Sequence, residues 1–133
     1  MPPASAFIAV ASGAVLGAWL RWLLVGKFNA ALPYLPLGTL IANVGGGLII
    51  GFVVAWLVSS PQLHPNVRLF VVTGFLGALT TFSSFSAESL ELLQAGRYGW
   101  ALAHTSAHLF GSLAAAAAGF ALHAAGFALY KTF

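Results

Sequence analysis

A chain of 133 residues with 60% hydrophobic composition, a mean hydropathy of +0.96, five Lys or Arg and two Asp or Glu has too little charge to clothe a globular surface. A soluble domain carries about a quarter charged residues, so the 5% found here excludes an ordinary soluble enzyme. The net charge of +3 is spread over single basic residues with no run able to track a phosphate backbone, so nucleic acid is not an expected partner, and the absence of cysteine removes disulfides, thiolate metal sites and Cys nucleophiles.

A membrane-crossing helix needs about 20 mostly apolar residues. Four stretches qualify, at residues 5–24, 37–58, 67–93 and 100–129, and together they form a single transmembrane domain spanning 1–133. The first carries Arg21 as its sole charge and is followed by a loop with Lys27, Asn29, Pro33 and Pro36. It lacks a basic n-region and runs on into a helix-length segment, so it is expected to be a span and not a cleavable leader. The second is uncharged and stops at Ser59-Ser60-Pro61; the third bears Glu88 and Glu91 at its far end; the fourth follows Gln94, Gly96 and Arg97. Short loops predict antiparallel neighbours in an all-α bundle. Four helices make a thin bundle, so oligomerisation is the default expectation.

The polar residues inside these spans carry the functional signal. Thr39, Asn43, Gly47 and Gly51 recur at intervals of four and share one face of the second helix. Asn43 reads either as interhelical glue or as a pathway residue. His104, His108 and Ser112 form a second stripe of the same spacing in the fourth helix. Two His at i, i+4 can also grip a metal, a weak signal here because no carboxylate or cysteine accompanies them in that helix. Asn, Thr, His and Ser are neutral hydrogen-bond donors, which suits a dehydrating anion. Arg21 closes the pattern Gly13-x3-Gly17-x3-Arg21, and is either an interfacial anchor beside Trp19 and Trp22 or a positive charge at the mouth of a pathway.

The third helix reads Thr73-Gly74-Phe75-Leu76-Gly77-Ala78-Leu79-Thr80-Thr81-Phe82-Ser83-Ser84-Phe85-Ser86-Ala87-Glu88, clustering glycine and hydroxyl residues near mid-membrane. Gly74 and Gly77 loosen the helix and the hydroxyls can satisfy backbone freed by a break, a device that marks ion sites in membranes. Phe82 and Phe85, at i, i+3, read as packing aromatics or as electropositive ring edges for a small anion.

These residues resemble the Fluc or CrcB fluoride channels over nearly the whole chain. The match rests on Gly17-x3-Arg21, on Gly38-Thr39-Leu40-x2-Asn43, on Thr73-Gly74-Phe75-x-Gly77 followed by Thr80-Thr81-Phe82-Ser83-x-Phe85-Ser86-x-Glu88, and on Gly111-Ser112. The resemblance implies a dual-topology antiparallel homodimer in a bacterial plasma (inner) membrane, conducting fluoride passively with no enzymatic activity. It implies a structural sodium ion at the dimer interface, held by the backbone carbonyls of Gly77 and Thr80. It implies a fluoride path past Asn43, Phe82, Phe85 and Ser112 with a polar track at His104 and His108; Thr39, Thr81, Arg21 and Glu88 are further candidate pathway positions. The family carries Tyr, Ser or Asn at the two His positions, so this chain departs there and its pH dependence becomes a question.

Three rival classes fit less well. A small dual-topology multidrug or cation exporter would want a carboxylate in the first helix, where this chain has Arg21; an intramembrane hydrolase would show an activated Ser; a structural subunit would not need the Asn, His and Phe stripes. Charge agrees with dual topology. With four spans, Arg68 and Lys131 fall on one side and Arg21, Lys27 and Arg97 on the other, a near tie in the count that sets orientation.

Overall fold

The computed structural model describes residues 2–130; Lys131, used in the charge tally above, lies outside them. All the regular structure in that range is helical, and four spans are long and apolar enough to cross a membrane: Ala4–Ala31, Leu37–Ser59, Pro65–Gln94 and Tyr98–Tyr130. Helix α1 covers Ala4–Phe28 and runs a turn past the expected end at Leu24, passing into a 3-10 turn at Asn29–Ala31 before Pro33 and Pro36 remove backbone donors. Helix α2 covers Leu37–Ser59, directly after Pro36.

The third span is composite. It begins as α3 (Pro65–Arg68), where Pro65 takes a first-turn position and the His64 Nδ1 accepts the Asn66 amide at 3.1 Å. It continues as a π-helical stretch over Leu69–Leu76, returns to α-helix as α4 (Gly77–Leu79), breaks at Thr80 and Thr81, and resumes as α5 (Phe82–Gln94). Thr80 and Thr81 are extended, with φ/ψ of −80/153 and −149/117. Helix α5 ends on Gly96 at φ 68, the left-handed residue of a Schellman turn in which the Arg97 amide donates to Leu92 and the Gly96 amide to Leu93. The chain then enters α6 (Tyr98–Tyr130). Arg97 lies 3.9 Å over the Tyr34 ring and Tyr34 packs against Trp100, so the loop after α1 and the loop before α6 meet at one end of the bundle.

With no water to drive helices together, close approach of backbones must do it. A Cβ added at Gly51 would overlap the Ala116 carbonyl, and one at Gly119 the Leu48 carbonyl, so α2 and α6 meet backbone to backbone. Gly13 and Gly17 do the same for α1, whose ridge lies on the Phe70 and Phe75 carbonyls of the π-helical stretch. These two seams fix the depth and rotation of α2, α6 and the broken span. Ala42, Leu76 and Leu79 form the buried apolar centre, with Leu24, Ile50, Val71 and Phe75 packed around them.

Candidate functional site

The break is held open by side chains from other helices. The Asn43 carboxamide pairs with Thr81 in both directions: its Oδ1 accepts the Thr81 amide at 2.7 Å and its Nδ2 donates to the Thr81 carbonyl at 3.0 Å. Because an amide N–H can only donate, this pairing fixes which way the carboxamide points. The Thr81 hydroxyl caps α5 by accepting the Ser84 amide at 3.1 Å. Arg21 reaches inward, its Nε donating to the Ala78 carbonyl at 3.0 Å. In an unbroken helix the carbonyls of Gly77, Ala78 and Thr80 would receive the amides of Thr81, Phe82 and Ser84. Here the Thr81 and Ser84 amides are bonded to side chains, and Ala78 has a guanidinium instead.

The same Asn43 sets the tautomer of His108. Its second Nδ2 hydrogen meets the His108 Nδ1 at 3.0 Å, so Nδ1 accepts and the ring proton of the neutral imidazole resides on Nε2. That Nε2–H is buried and has no hydrogen-bond partner among the described residues. A buried donor left unpaired costs about 1–3 kcal/mol, so this atom stands out from an otherwise satisfied network.

A second chain of bonds lies beside the first. Asn29 brackets Thr39, its Oδ1 accepting the Thr39 amide at 3.0 Å and its Nδ2 donating to the hydroxyl at 3.2 Å. The Thr39 hydroxyl donates to Glu88 Oε1 at 2.5 Å, while Glu88 Oε2 lies 3.1 Å from the His104 Nε2 and the His104 Nδ1 lies 3.1 Å from the Ser89 hydroxyl. Thr39 and His104 are fully buried. Phe85 bridges the two chains, stacking on His104 at 8° and tilting against His108.

An open groove of about 760 Å³ runs along one side of the break. Asn43, Thr81, Phe82, Phe85, His108 and Ser112 line it, with Gly77 and Thr80, and among the described residues no Asp, Glu, Lys or Arg does. The expected positions therefore divide. Six of them, at 43, 81, 82, 85, 108 and 112, face one groove; Thr39, Glu88 and His104 form the buried chain behind Phe85; Arg21 braces the backbone. The backbone pattern at Gly77 and Thr80 fits carbonyl ligation of a sodium ion, since the amides that would engage those carbonyls are occupied elsewhere and Gly77 is exposed.

Three features were not read from the sequence. Asn29 looked like a loop residue, its one signal being a polar side chain just ahead of the Thr39 turn. The π-helical stretch left no mark in composition beyond Gly74. The carboxylate absent from the fourth helix is supplied by Glu88 across the loop, which puts one donor atom each of Glu88, His104 and His108 within 4.8 Å of one another.

The chain is thus a four-span membrane protein built around a braced helix break and a mainly apolar groove that carries a few neutral polar side chains. A family model described as CrcB-like protein, Camphor Resistance (CrcB), matches residues 8–120. The chain is 56% identical over 112 residues to a protein of Pseudomonas syringae pv. maculicola named fluoride-specific ion channel FluC, covering 84% of this chain and 88% of that one. It is 55% identical over 109 residues to the protein of the same name from Acinetobacter baylyi (82% and 86% covered), and 55% over 113 residues to that of Cupriavidus pinatubonensis (85% and 90%). The chain belongs to the CrcB family.

Proposed function

We propose that this protein is a multi-pass membrane channel that conducts fluoride passively and selectively and so releases fluoride from the cytoplasm. It is a channel and not an enzyme. The observation that carries this reading is the buried His108 Nε2–H, an unpartnered neutral donor beside a groove that no Asp, Glu, Lys or Arg among the described residues lines. Fluoride is a small, strong acceptor and regains from such donors the hydrogen bonds it loses with its water; the Glu88 carboxylate is not among the residues that line the groove. Phe82 and Phe85, with ring centroids 5.3 Å apart, offer electropositive edges along the same wall. Hydrogen fluoride crosses membranes uncharged and ionises inside a less acidic cytoplasm, so an open anion path suffices and no energy source is needed. Liposomes loaded with fluoride should empty only when a counter-ion path is supplied; efflux that requires a proton gradient would favour the coupled exporter.

The working unit is an antiparallel homodimer in a bacterial inner membrane. Supporting this, Phe82 is 79% exposed on the single chain and the groove is open along one side, so a second copy would bury an aromatic and close a wall. The near tie of Lys and Arg lets the chain insert both ways. Sodium at the Gly77 and Thr80 carbonyls of two such chains would neutralise the facing dipoles and hold the breaks together.

A further inference from the structure

Glu88, His104 and His108 together have a metal-binding capacity that the channel reading does not use. Two imidazole nitrogens and one carboxylate oxygen within 4.8 Å are a donor set for a borderline divalent transition metal, the composition of a three-ligand zinc site with one open position. Donors bound at about 2.0–2.2 Å to one ion lie about 3.4 Å apart, so each side chain needs to shift by less than about 1 Å. His108 faces the groove and gives an entry path, and its Nε2 is buried with no partner of its own. The Ser89 hydroxyl, 3.1 Å from the His104 Nδ1, can accept that nitrogen's proton and hold the ring as a metal ligand.

One residue opposes this site. An imidazole that binds metal through Nε2 carries its proton on Nδ1, yet Asn43 donates to Nδ1 and keeps the proton on Nε2. A metal bound through the unpartnered Nε2 must shift the ring proton to Nδ1 and turn the Asn43 carboxamide, which breaks its two hydrogen bonds to Thr81. We infer that Glu88, His104 and His108 form an inhibitory site for a divalent transition-metal ion of the Zn2+ class, whose occupation is incompatible with the Asn43 brace on the helix break. The fluoride-flux part of this inference rests on the channel reading; the binding part does not.

The test is equilibrium dialysis of purified full-length protein with ZnCl2, alongside fluoride efflux from liposomes. Wild type should bind one Zn2+ per chain and lose efflux reversibly, recovering on chelation. H108Q and E88Q should each weaken binding by at least about tenfold, and the double variant H64Q/H123Q should bind as wild type, since His64 caps α3 in a loop and His123 lies about 28 Å along α6 from His104 at 1.5 Å per residue. N43D, which replaces the opposing donor by an acceptor for Nδ1–H, should tighten binding by about tenfold through a carboxylate–histidine–metal arrangement. X-ray absorption of Zn-loaded wild type should show two imidazoles on the metal, a measurement that needs no variant to fold. Loss of binding in H64Q/H123Q, unchanged binding in both H108Q and E88Q, weaker binding in N43D, or a metal shell with fewer than two imidazoles would each overturn the site. Binding as expected with efflux untouched by Zn2+ would overturn the inhibitory role.

Discussion

Asn43→Asp changes one atom of the side chain, removes one hydrogen bond and reverses another. The Thr81 amide keeps its acceptor, but the Thr81 carbonyl now faces an oxygen, and the His108 Nδ1 faces an acceptor in place of a donor. One interhelical bond, to the Thr81 carbonyl, is lost; at about 0.6 kcal/mol for membrane proteins and up to about 1.7, the structural cost is about 1–2 kcal/mol. The effect on anions is larger. The His108 proton moves to Nδ1 to meet the carboxylate, so the groove receives a bare lone pair where it had an N–H. The new charge lies about 7 Å from an anion seated at Nε2, which at an effective dielectric constant of about 20 repels it by about 2 kcal/mol, a factor of about thirty. Fluoride efflux from liposomes, followed with a fluoride electrode, should fall by at least about thirtyfold, while size exclusion shows the same assembly as wild type. N43S, which cannot reach both Thr81 groups but adds no charge, should fall between the two. Efflux of N43D within twofold of wild type would refute the argument that a donor at Asn43 orients His108 toward the anion.

Phe82→Ile and Phe85→Ile keep bulk but remove the ring edge; each should lower fluoride efflux at least about tenfold with the assembly intact, and normal efflux from the double variant would make both rings packing residues. F85I should also lower thermal stability, by about 1 kcal/mol, because Phe85 stacks on His104 and touches His108 whereas Phe82 is exposed on the single chain. Thr39→Val preserves shape but strips the hydroxyl from the fully buried link between Asn29 and Glu88; a loss of about 1–3 kcal/mol in thermal unfolding is expected, with T39S restoring it, and an unchanged midpoint would mean the link carries no stability. Three Lys added around Gln62 and His64 should bias insertion and lower activity when that variant is expressed alone, and co-expression with a chain biased oppositely at Gln94 to Tyr98 should restore it. Full activity from either chain alone, shown by accessibility labelling to have one orientation, would rule out the antiparallel dimer.

The spans were legible because a continuous run of about twenty mostly apolar residues has few other meanings, and the break because Thr80-Thr81 between Gly77 and Ser83 is a string that stores backbone donors and acceptors. The i, i+4 spacings put His104 with His108 and Thr39 with Asn43 on common faces, and they do lie so. What spacing cannot supply is the rotation of one helix against another. Whether Arg21 reaches lipid or protein depends on the Gly13 and Gly17 seam, which turns α1 so that the guanidinium meets the Ala78 carbonyl. The meeting of Glu88 with His104 depends on the tight turn at Gly96, which brings the end of α5 back along α6. The tautomer of His108 depends on a carboxamide sixty-five residues away in the chain.

Recording from purified protein in planar bilayers tests the central claim most directly, with fluoride and then chloride as the only permeant anion. A passive fluoride-selective channel carries current in fluoride and none in chloride, with a reversal potential that follows the fluoride gradient. Equal currents in both anions, or fluoride movement that carries no current and follows a proton gradient, would contradict it.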